Sequence, residues 1–406
     1  MWWAQPQRGD YGGRPLIKTT RSRKFSADAL EPRRRPVMAP ACTKGNWVRA
    51  LFDSRDIFPA LRQALASADR TIRLDFYIFG GRQGQELAEL LVRQVRAGVA
   101  VRVMLDRNLG TIPQVRQVTL PVLNYLLAEG VPVVLSSGRY SLLSPARGVD
   151  HNKYVVVDGA RALVGGANIA DLYETFHDLM LQVEGPAARE LARQFDRDWR
   201  RACRTVPPLA EGDGRVAPVY PDGVAVRVLT AGDGQGTLRQ AVLAALAAAR
   251  QSIYVSMLEL GHAEAINGLV AAWRRGVDVR VLLDPGDFAD LVPVVRWAPR
   301  GILNAHTVRQ LVEAAVPVRL FKVDQQLSTL HTKLAVFDSR RLLAGSSNWT
   351  SKGFGYMLET NVEVRGGEAV AQVERRFLQD WQQRGEVPEL PGLLSRGANW
   401  LYRRLL

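Results

Sequence analysis

Two stretches of the chain set a histidine two residues ahead of a lysine and seven ahead of an aspartate: His151-Asn152-Lys153-Tyr154-Val155-Val156-Val157-Asp158 and His331-Thr332-Lys333-Leu334-Ala335-Val336-Phe337-Asp338. In each, the apolar run after the lysine reads as a buried strand. Side chains alternate faces along a strand, so the imidazole and the ammonium fall side by side on one surface. After a short turn a second strand (162–164 and 342–344) ends in Gly165-Gly166-Ala167-Asn168 or Gly345-Ser346-Ser347-Asn348. The small residues permit close backbone approach, and the asparagine offers an amide donor. The spacing from His to Asn is 17 residues in both copies.

Two histidines, two lysines and two asparagines suit a phosphodiester. Lys153, Lys333, Asn168 and Asn348, with Ser346, can surround the non-bridging oxygens and stabilise the charge of an in-line transition state. One histidine can attack phosphorus, while the other protonates the departing oxygen and later deprotonates the incoming hydroxyl. Either copy alone lacks half of this equipment.

A single His-x-Lys on a strand is usually incidental; the doubled pattern, followed by the same Asn at the same spacing, is not. A metal site is the competing use of His and Asp. A lysine two residues from each histidine would set a positive charge beside the ion, and the five histidines show no zinc spacing, so no metal is expected. His177, His262 and His306 lie outside the motifs and read as ordinary surface or core residues. Asp158 and Asp338 complete the candidate catalytic motifs. They stand where strand becomes turn and read as structural, bonding turn amides or orienting the motif, rather than as proton carriers.

The elements that position these residues are duplicated. ALASADRTIRLDFYIF around Ile72 matches ALAAARQSIYVSMLEL around Ile253, each a helix end running into a strand. VRQVRAGVAVRVMLD ending at Asp106 matches VAAWRRGVDVRVLLD ending at Asp284, each a helix, a glycine that can stop it (Gly98, Gly276) and a strand. LLAEGVPVVL matches LVEAAVPVRL; the motifs follow, and each half closes with a helix bearing Phe-x-x-Asp-Trp, at 195–199 and 377–381. Five matched blocks in one order, offset by about 180 residues, define an internal repeat. The expected fold is α/β, two pseudo-symmetric halves with mixed sheets and an active site at their interface.

The expected organisation is a basic arm over 1–45, a first half over 46–203, a Pro/Gly-rich linker over 204–223, a second half over 224–385 and an amphipathic tail over 386–406. Net charge is +14, which favours anionic partners. Residues 1–36 hold nine Arg or Lys against three acids, so much of that charge lies in an arm expected to be disordered. A binding arm, a solubilising tail and a true start at Met38 are all open readings of it. The tail mixes Trp400 and Tyr402 with Arg396, Arg403 and Arg404, a composition suited to a membrane interface or to a helix packed on the domain surface. No apolar run approaches the roughly 18 residues needed to span a bilayer, and the N-terminus has no apolar signal core, so a cytoplasmic or peripheral membrane protein is expected. Two cysteines, Cys42 and Cys203, are too few for a disulfide framework.

These residues resemble the phospholipase D superfamily, whose signature is His-x-Lys-x4-Asp-x6-Gly-[Gly/Ser]-x-Asn. Both copies match in full, and the repeat covers roughly residues 50–385. The resemblance implies a reaction independent of metal and cofactor, through a covalent phosphohistidine in a shared cleft. It implies that His151 is the nucleophile and His331 the acid and base. It also implies a downstream acid that orients each motif histidine through its other ring nitrogen. The matching residues are Asp178 and Glu359; Glu359 fits the family position, and Asp178 falls one residue short of it. The Gly-Gly-Ala-Asn-Ile-Ala stretch, followed by His-Asp and Val-Glu-Gly-Pro, looks like cardiolipin synthases and their phospholipase relatives.

The leading reading is therefore phosphatidyl transfer or phospholipid hydrolysis at an anionic membrane surface. The alternative is a nuclease or DNA phosphodiesterase, favoured by the net charge. A non-catalytic binding protein is disfavoured by two intact motifs. No obligate protein partner is evident, and one chain carrying both motifs has no need to dimerise for catalysis. The longer connections at 108–119, 140–149 and 285–305 are expected to rim the cleft.

Overall fold

The computed structural model describes residues 42–107, 113–138, 148–210, 212, 214–232, 236–286 and 304–388. Most of the expected arm, residues 108–112, 140–147 and 287–303 of the expected rim loops and most of the tail lie outside the described residues; residues 113–119, expected in a loop, belong to a helix.

The first half runs β1 (Cys42–Phe52), α1 (Asp53–Ala66), β2 (Thr71–Phe76), α2 (Gly81–Arg96), β3 (Ala100–Asp106), α3 (Pro113–Ala128), β4 (Val133–Ser136), β5 (Lys153–Val157), β6 (Arg161–Gly165), β7 (Phe176–His177), β8 (Leu179–Glu184) and α4 (Pro186–Ala202). The second runs β9 (Val224–Ala231), α5 (Thr237–Ala248), β10 (Ser252–Met257), α6 (Ala263–Arg274), β11 (Asp278–Leu283), α7 (Ala305–Glu313), β12 (Val318–Phe321), β13 (Thr329–Leu330), β14 (Lys333–Phe337), β15 (Arg341–Gly345), α8 (Ser351–Gly355), β16 (Glu359–Arg365), α9 (Glu368–Gln383) and β17 (Gly385–Glu386). The matched sequence blocks occupy matched elements. Gly98 and Gly276, at φ 91° and 84°, leave their helices through the left-handed region that favours glycine.

Each half is a mixed sheet in the order β4-β3-β2-β5-β6-β8-β1, repeated as β12-β11-β10-β14-β15-β16-β9. β2, β3 and β4 are parallel and the rest antiparallel. The two sheets meet where β1 pairs antiparallel with β9, Cys42 opposite Arg227 and Asn46 opposite Val224. Residues 42–45, assigned from sequence to the arm, therefore belong to the sheet. Thr43 reinforces that edge, its hydroxyl donating to the Val226 carbonyl at 3.0 Å. Glu386, the first residue of the expected tail, pairs with Leu320.

Among the described residues three large cores hold the molecule, beside a small cluster of Ile78, Val115 and Ala170. Leu61, Leu91, Val103 and Leu126 lie in the first half's own core, and Val242, Leu269, Val281 and Leu311 in the second's. The third is shared: Val164 and Leu181 join Ala344 and Val362, with α4 and α9 closing over them. The duplicated Phe-x-x-Asp-Trp serves this shared core. Phe and Trp four residues apart lie on one helix face; Phe195 stacks with Trp199 at 5.8 Å and Phe377 with Trp381 at 6.1 Å. Burying each such aromatic contributes about 2–3 kcal/mol, so the halves are bound by the same residues that mark the repeat. The Pro-rich segment after α4 is pinned to the first half, Val206 accepting from the Trp199 indole at 2.9 Å and Tyr220 donating to Glu184 at 2.7 Å. Among the described residues no helix is long and apolar enough to cross a membrane.

Candidate active site

His151 and His331 lie just ahead of β5 and β14, so each motif enters its strand at the lysine. The amide of the preceding residue, Asp150 or Leu330, donates to a buried carboxylate two strands over, Asp106 at the end of β3 at 2.7 Å or Asp284 just past β11 at 2.8 Å. These acids end a matched block in both halves, a repeated charge at a strand terminus that could have marked them as site supports.

The halves then interlock at the histidines. Asp150 bridges to Leu358 and Leu330 to His177, each in parallel pairing. The His151 amide donates to the Leu358 carbonyl at 3.0 Å, and the His331 amide to the His177 carbonyl at 2.8 Å. Leu358 and His177 are the residues just before Glu359 and Asp178. The backbone thus delivers each acid to the histidine of the other half. His151 Nδ1 lies 3.0 Å from Glu359 Oε1, and His331 Nδ1 lies 2.6 Å from Asp178 Oδ2. Asp178 is one residue short in sequence, but the shortfall falls between Asn168 and His177, ahead of the bridge, and leaves the pairing in register.

Both lysines turn back on their own motifs, Lys153 Nζ to the His151 carbonyl at 2.7 Å and Lys333 Nζ to the His331 carbonyl. Tyr77 serves the first motif twice: its ring is 5.0 Å from the His151 ring and 5.2 Å from Lys153 Nζ. Tyr173 and Phe176 flank His331 at 5.6 and 5.5 Å. Asn168 is buried and Asn348 partly so, each with its amide oxygen unpartnered.

Burial sets the electrostatics. It lowers Lys153 to about 7, against the pull of Glu359, and Lys333 to about 8, against Asp178. It lowers His151 with help from Lys153, and lowers His331 well below its ordinary range with help from Lys333. Asp178 is pushed up to about 7 by burial although Lys333 opposes it. The charged form of the buried His331–Asp178 pair is thus disfavoured against its neutral form. An anionic group placed between the lysines reverses that balance, because it stabilises every cation around it.

Asp158 and Asp338, candidates by their place in the motif, bond backbone amides as their position at the strand end implied, while two other expectations need correction. Asp158 accepts from the amides of Asp69, Arg70 and Thr71, the last two at 2.8 Å, and Asp338 from those of Arg250, Gln251 and Ser252. They tie the far end of the motif strand to the start of β2 or β10. The Ser346 hydroxyl, expected on phosphate, donates instead to Glu359 Oε2 and accepts from the Thr360 amide at 3.1 Å. The first half has Gly166 there, because Asp178 fills the space: a Cβ on Gly166 would lie 2.3 Å from Asp178 Oδ1. Finally, His177 is not an ordinary core residue but sits buried among charges, with Asp53 at 2.7 Å and Asp380 at 2.9 Å. A lone histidine in sequence gives no sign of carboxylates 124 and 203 positions away. His306 is exposed on α7, and His262 is half-buried beside Phe354.

A family model described as "Cardiolipin synthase, PLD-like domain" matches residues 61–199 and 242–381. The chain is 28% identical over 401 residues to cardiolipin synthase A of Pseudomonas syringae pv. syringae (strain B728a), covering 93% of this chain and 78% of that one. It is 29% identical over 369 residues to cardiolipin synthase A of Pseudomonas entomophila (strain L48), covering 85% and 71%. Its fold is shared with phosphatidylserine synthase from Haemophilus influenzae Rd KW20, with a TM-score of 0.68 at 15% identity over 88% of this chain and 95% of that one. With both motifs matched by the family model and facing one another across the halves, the chain belongs to the phospholipase D superfamily, in its cardiolipin synthase branch.

Proposed function

We propose that the chain transfers a phosphatidyl group from a phospholipid to an alcohol or to water through a phosphohistidine on His151. The observation that carries this reading is the crosswise pairing of each motif histidine with the other half's acid. With Nδ1 committed to a carboxylate, Nε2 is the nitrogen left for chemistry on both rings.

His151, kept unprotonated by burial and Lys153, attacks phosphorus and forms the N–P bond. The bond to the headgroup oxygen breaks as His331 gives that oxygen its proton. The acceptor hydroxyl then loses a proton to His331 and attacks phosphorus, releasing His151 and returning the pair to its starting state. Lys153 and Lys333, with the amides of Asn168 and Asn348, hold the non-bridging oxygens. The diester's negative charge between the lysines favours the protonated His331 that the first step needs. Glu359 and Asp178 fix the tautomer and angle of each ring and stabilise it whenever it becomes cationic.

The choice of a phospholipid rests on the relatives, cardiolipin synthases along most of their length. The test is turnover, in EDTA, of labelled phosphatidylglycerol liposomes beside labelled single- and double-stranded DNA. His151→Ala and His331→Ala run in parallel. Release of glycerol with cardiolipin or phosphatidic acid, lost in both variants, supports the reading. DNA cleavage with inert lipid replaces it with a nuclease using the same residues.

A further inference from the structure

Asp53, His177, Arg376 and Asp380 form a buried charge cluster between the halves that no step above uses. Asp53 opens α1 of the first half, and Arg376 and Asp380 lie on α9 of the second. His177 Nδ1 is 2.7 Å from Asp53 Oδ1, and its Nε2 is 2.9 Å from Asp380 Oδ2. A carboxylate only accepts, so both ring nitrogens donate, and the ring is the imidazolium. Charge balance agrees: Arg376 donates to Asp53 Oδ2 at 3.1 Å and to Asp380 Oδ2 at 3.0 Å. Its Nη2 also lies 3.1 Å from His177 Nδ1, where two donors share Asp53 as acceptor and make no bond to each other. Two carboxylates then face two cations. A neutral ring would leave one negative charge uncompensated beside a ring and an Asp380 carboxylate that are almost fully buried, with Arg376 a quarter exposed. Phe321 stacks on the ring at 5.3 Å and 6°, with Arg384 5.6 Å from the Phe321 ring, and the charge of His177 also acts on the Asp178 carboxylate next in the chain. Burial alone would lower the imidazole, but Asp380 and Asp53 outweigh it and raise His177 to about 9.

The cluster reaches the reaction through one peptide. Asp53 Oδ1 also accepts the Asp178 amide at 3.1 Å, and the Asp53 amide donates to the Asp178 carbonyl at 3.1 Å. The His177 carbonyl takes the His331 amide, and the Asp178 carboxylate takes the His331 ring. Asp53 is held at φ 57°, strained for a residue with a side chain, which fits a position determined by these partners. Among the described residues the second half has no counterpart: Leu358 stands where His177 stands, and Glu359 is held by Ser346 instead.

We propose that His177, as the imidazolium between Asp53 and Asp380, is the positioning residue that locks Asp178, and through it His331, against the second half. The proposal deepens the phosphatidyl-transfer reading and rests on it for the role of His331. The brace itself can be observed without turnover. Because the ring's charge is held above its ordinary pKa of 6.5, the brace is complete below that value and is lost as pH rises through about 9.

The experiment is 15N NMR of the histidine-labelled full chain, its five imidazoles assigned by single replacements, beside kinetics of His177→Gln. The expected spectrum shows both His177 nitrogens protonated at neutral pH and losing a proton only near pH 9. In His177→Gln, kcat falls on the order of tenfold with KM within about twofold, and the His331 titration shifts. Adding Asp380→Asn, which restores the charge balance, recovers several-fold of that loss. A neutral His177 ring at pH 7 overturns the proposal. So does an unchanged His331 titration in the variant, or a double variant slower than His177→Gln. If the variant does not fold, the titration of the unaltered chain decides. Inert phospholipid with the expected spectrum overturns the reaction reading and leaves the brace standing.

Discussion

Glu359 Oε1 lies 3.0 Å from His151 Nδ1 across 208 positions of chain, and the acid in the same half as His151 serves His331 instead. On the proposed mechanism the two acids would therefore serve different steps from those their positions in the repeat suggest. Glu359→Gln should slow formation of the phosphohistidine, on the order of tenfold to a hundredfold. Asp178→Asn should impair proton transfer by His331. Acid-quench trapping with labelled phospholipid, beside an activated diester with a nitrophenol leaving group, separates them. The activated substrate needs no proton on departure, so it should rescue the first step of Asp178→Asn and not that of Glu359→Gln. Equal rescue of both variants would refute the crosswise assignment.

The lysines set a basic limit. A lysine with a depressed pKa loses its charge as pH rises through the depressed value, here about 7 for Lys153 and about 8 for Lys333. Since kcat/KM reports the free enzyme, it should fall over that window. The bound diester holds both lysines charged to higher pH, so kcat should persist after kcat/KM has declined. Rates from about pH 6 to about 9.5 check this; a flat kcat/KM across the range would show that neither lysine must be charged in the free enzyme.

Ser346 and Gly166 occupy the same place in the two motifs and should fail in different ways. Ser346→Ala removes the hydroxyl bonded to Glu359 and should lower kcat by roughly tenfold, through His151. Gly166→Ala drives a methyl into the Asp178 carboxylate and should resemble Asp178→Asn, including its rescue by the activated diester. A larger change in KM than in kcat for Ser346→Ala would return that hydroxyl to the phosphate.

Asp158 is tested by stability. It accepts three amide hydrogen bonds at the start of β2 while almost fully buried, so Asp158→Ala should destabilise the fold by about 2–3 kcal/mol. The folded fraction should keep its kcat. Denaturant melts with rates normalised to folded protein check both; a drop in kcat of more than about tenfold in folded protein would make the motif aspartate a participant.

Much of this architecture was legible because the repeat compares the chain with itself. Strands around Ile72 and Ile253, helices ending at Gly98 and Gly276, and the Phe-x-x-Asp-Trp helices all take the places their periodicity implies. The crosswise pairing was not legible. Spacing within a half says how far an acid lies along the chain, whereas the bridges Asp150–Leu358 and Leu330–His177 are made between halves by a few backbone bonds without composition or period. Ser346 misled for a related reason, since a hydroxyl beside a motif asparagine fits an oxyanion as well as it fits Glu359. His177 was passed over because its partners come from a helix start and a distant helix face that only folding joins.

Interlocking of this kind makes the molecule a heterodimer that happens to be one polypeptide. Each half, taken alone, would present a histidine whose ring nothing steers and a carboxylate with no ring to steer. The segment over 204–223 then acts as a tether, holding the two surfaces at an effective concentration on the order of millimolar. Severing it would turn a first-order property into a second-order one: activity would depend on how much of each fragment is present and would fade on dilution. On that mechanism duplication has left no spare copy, since a lesion in either half would disarm the histidine of the other.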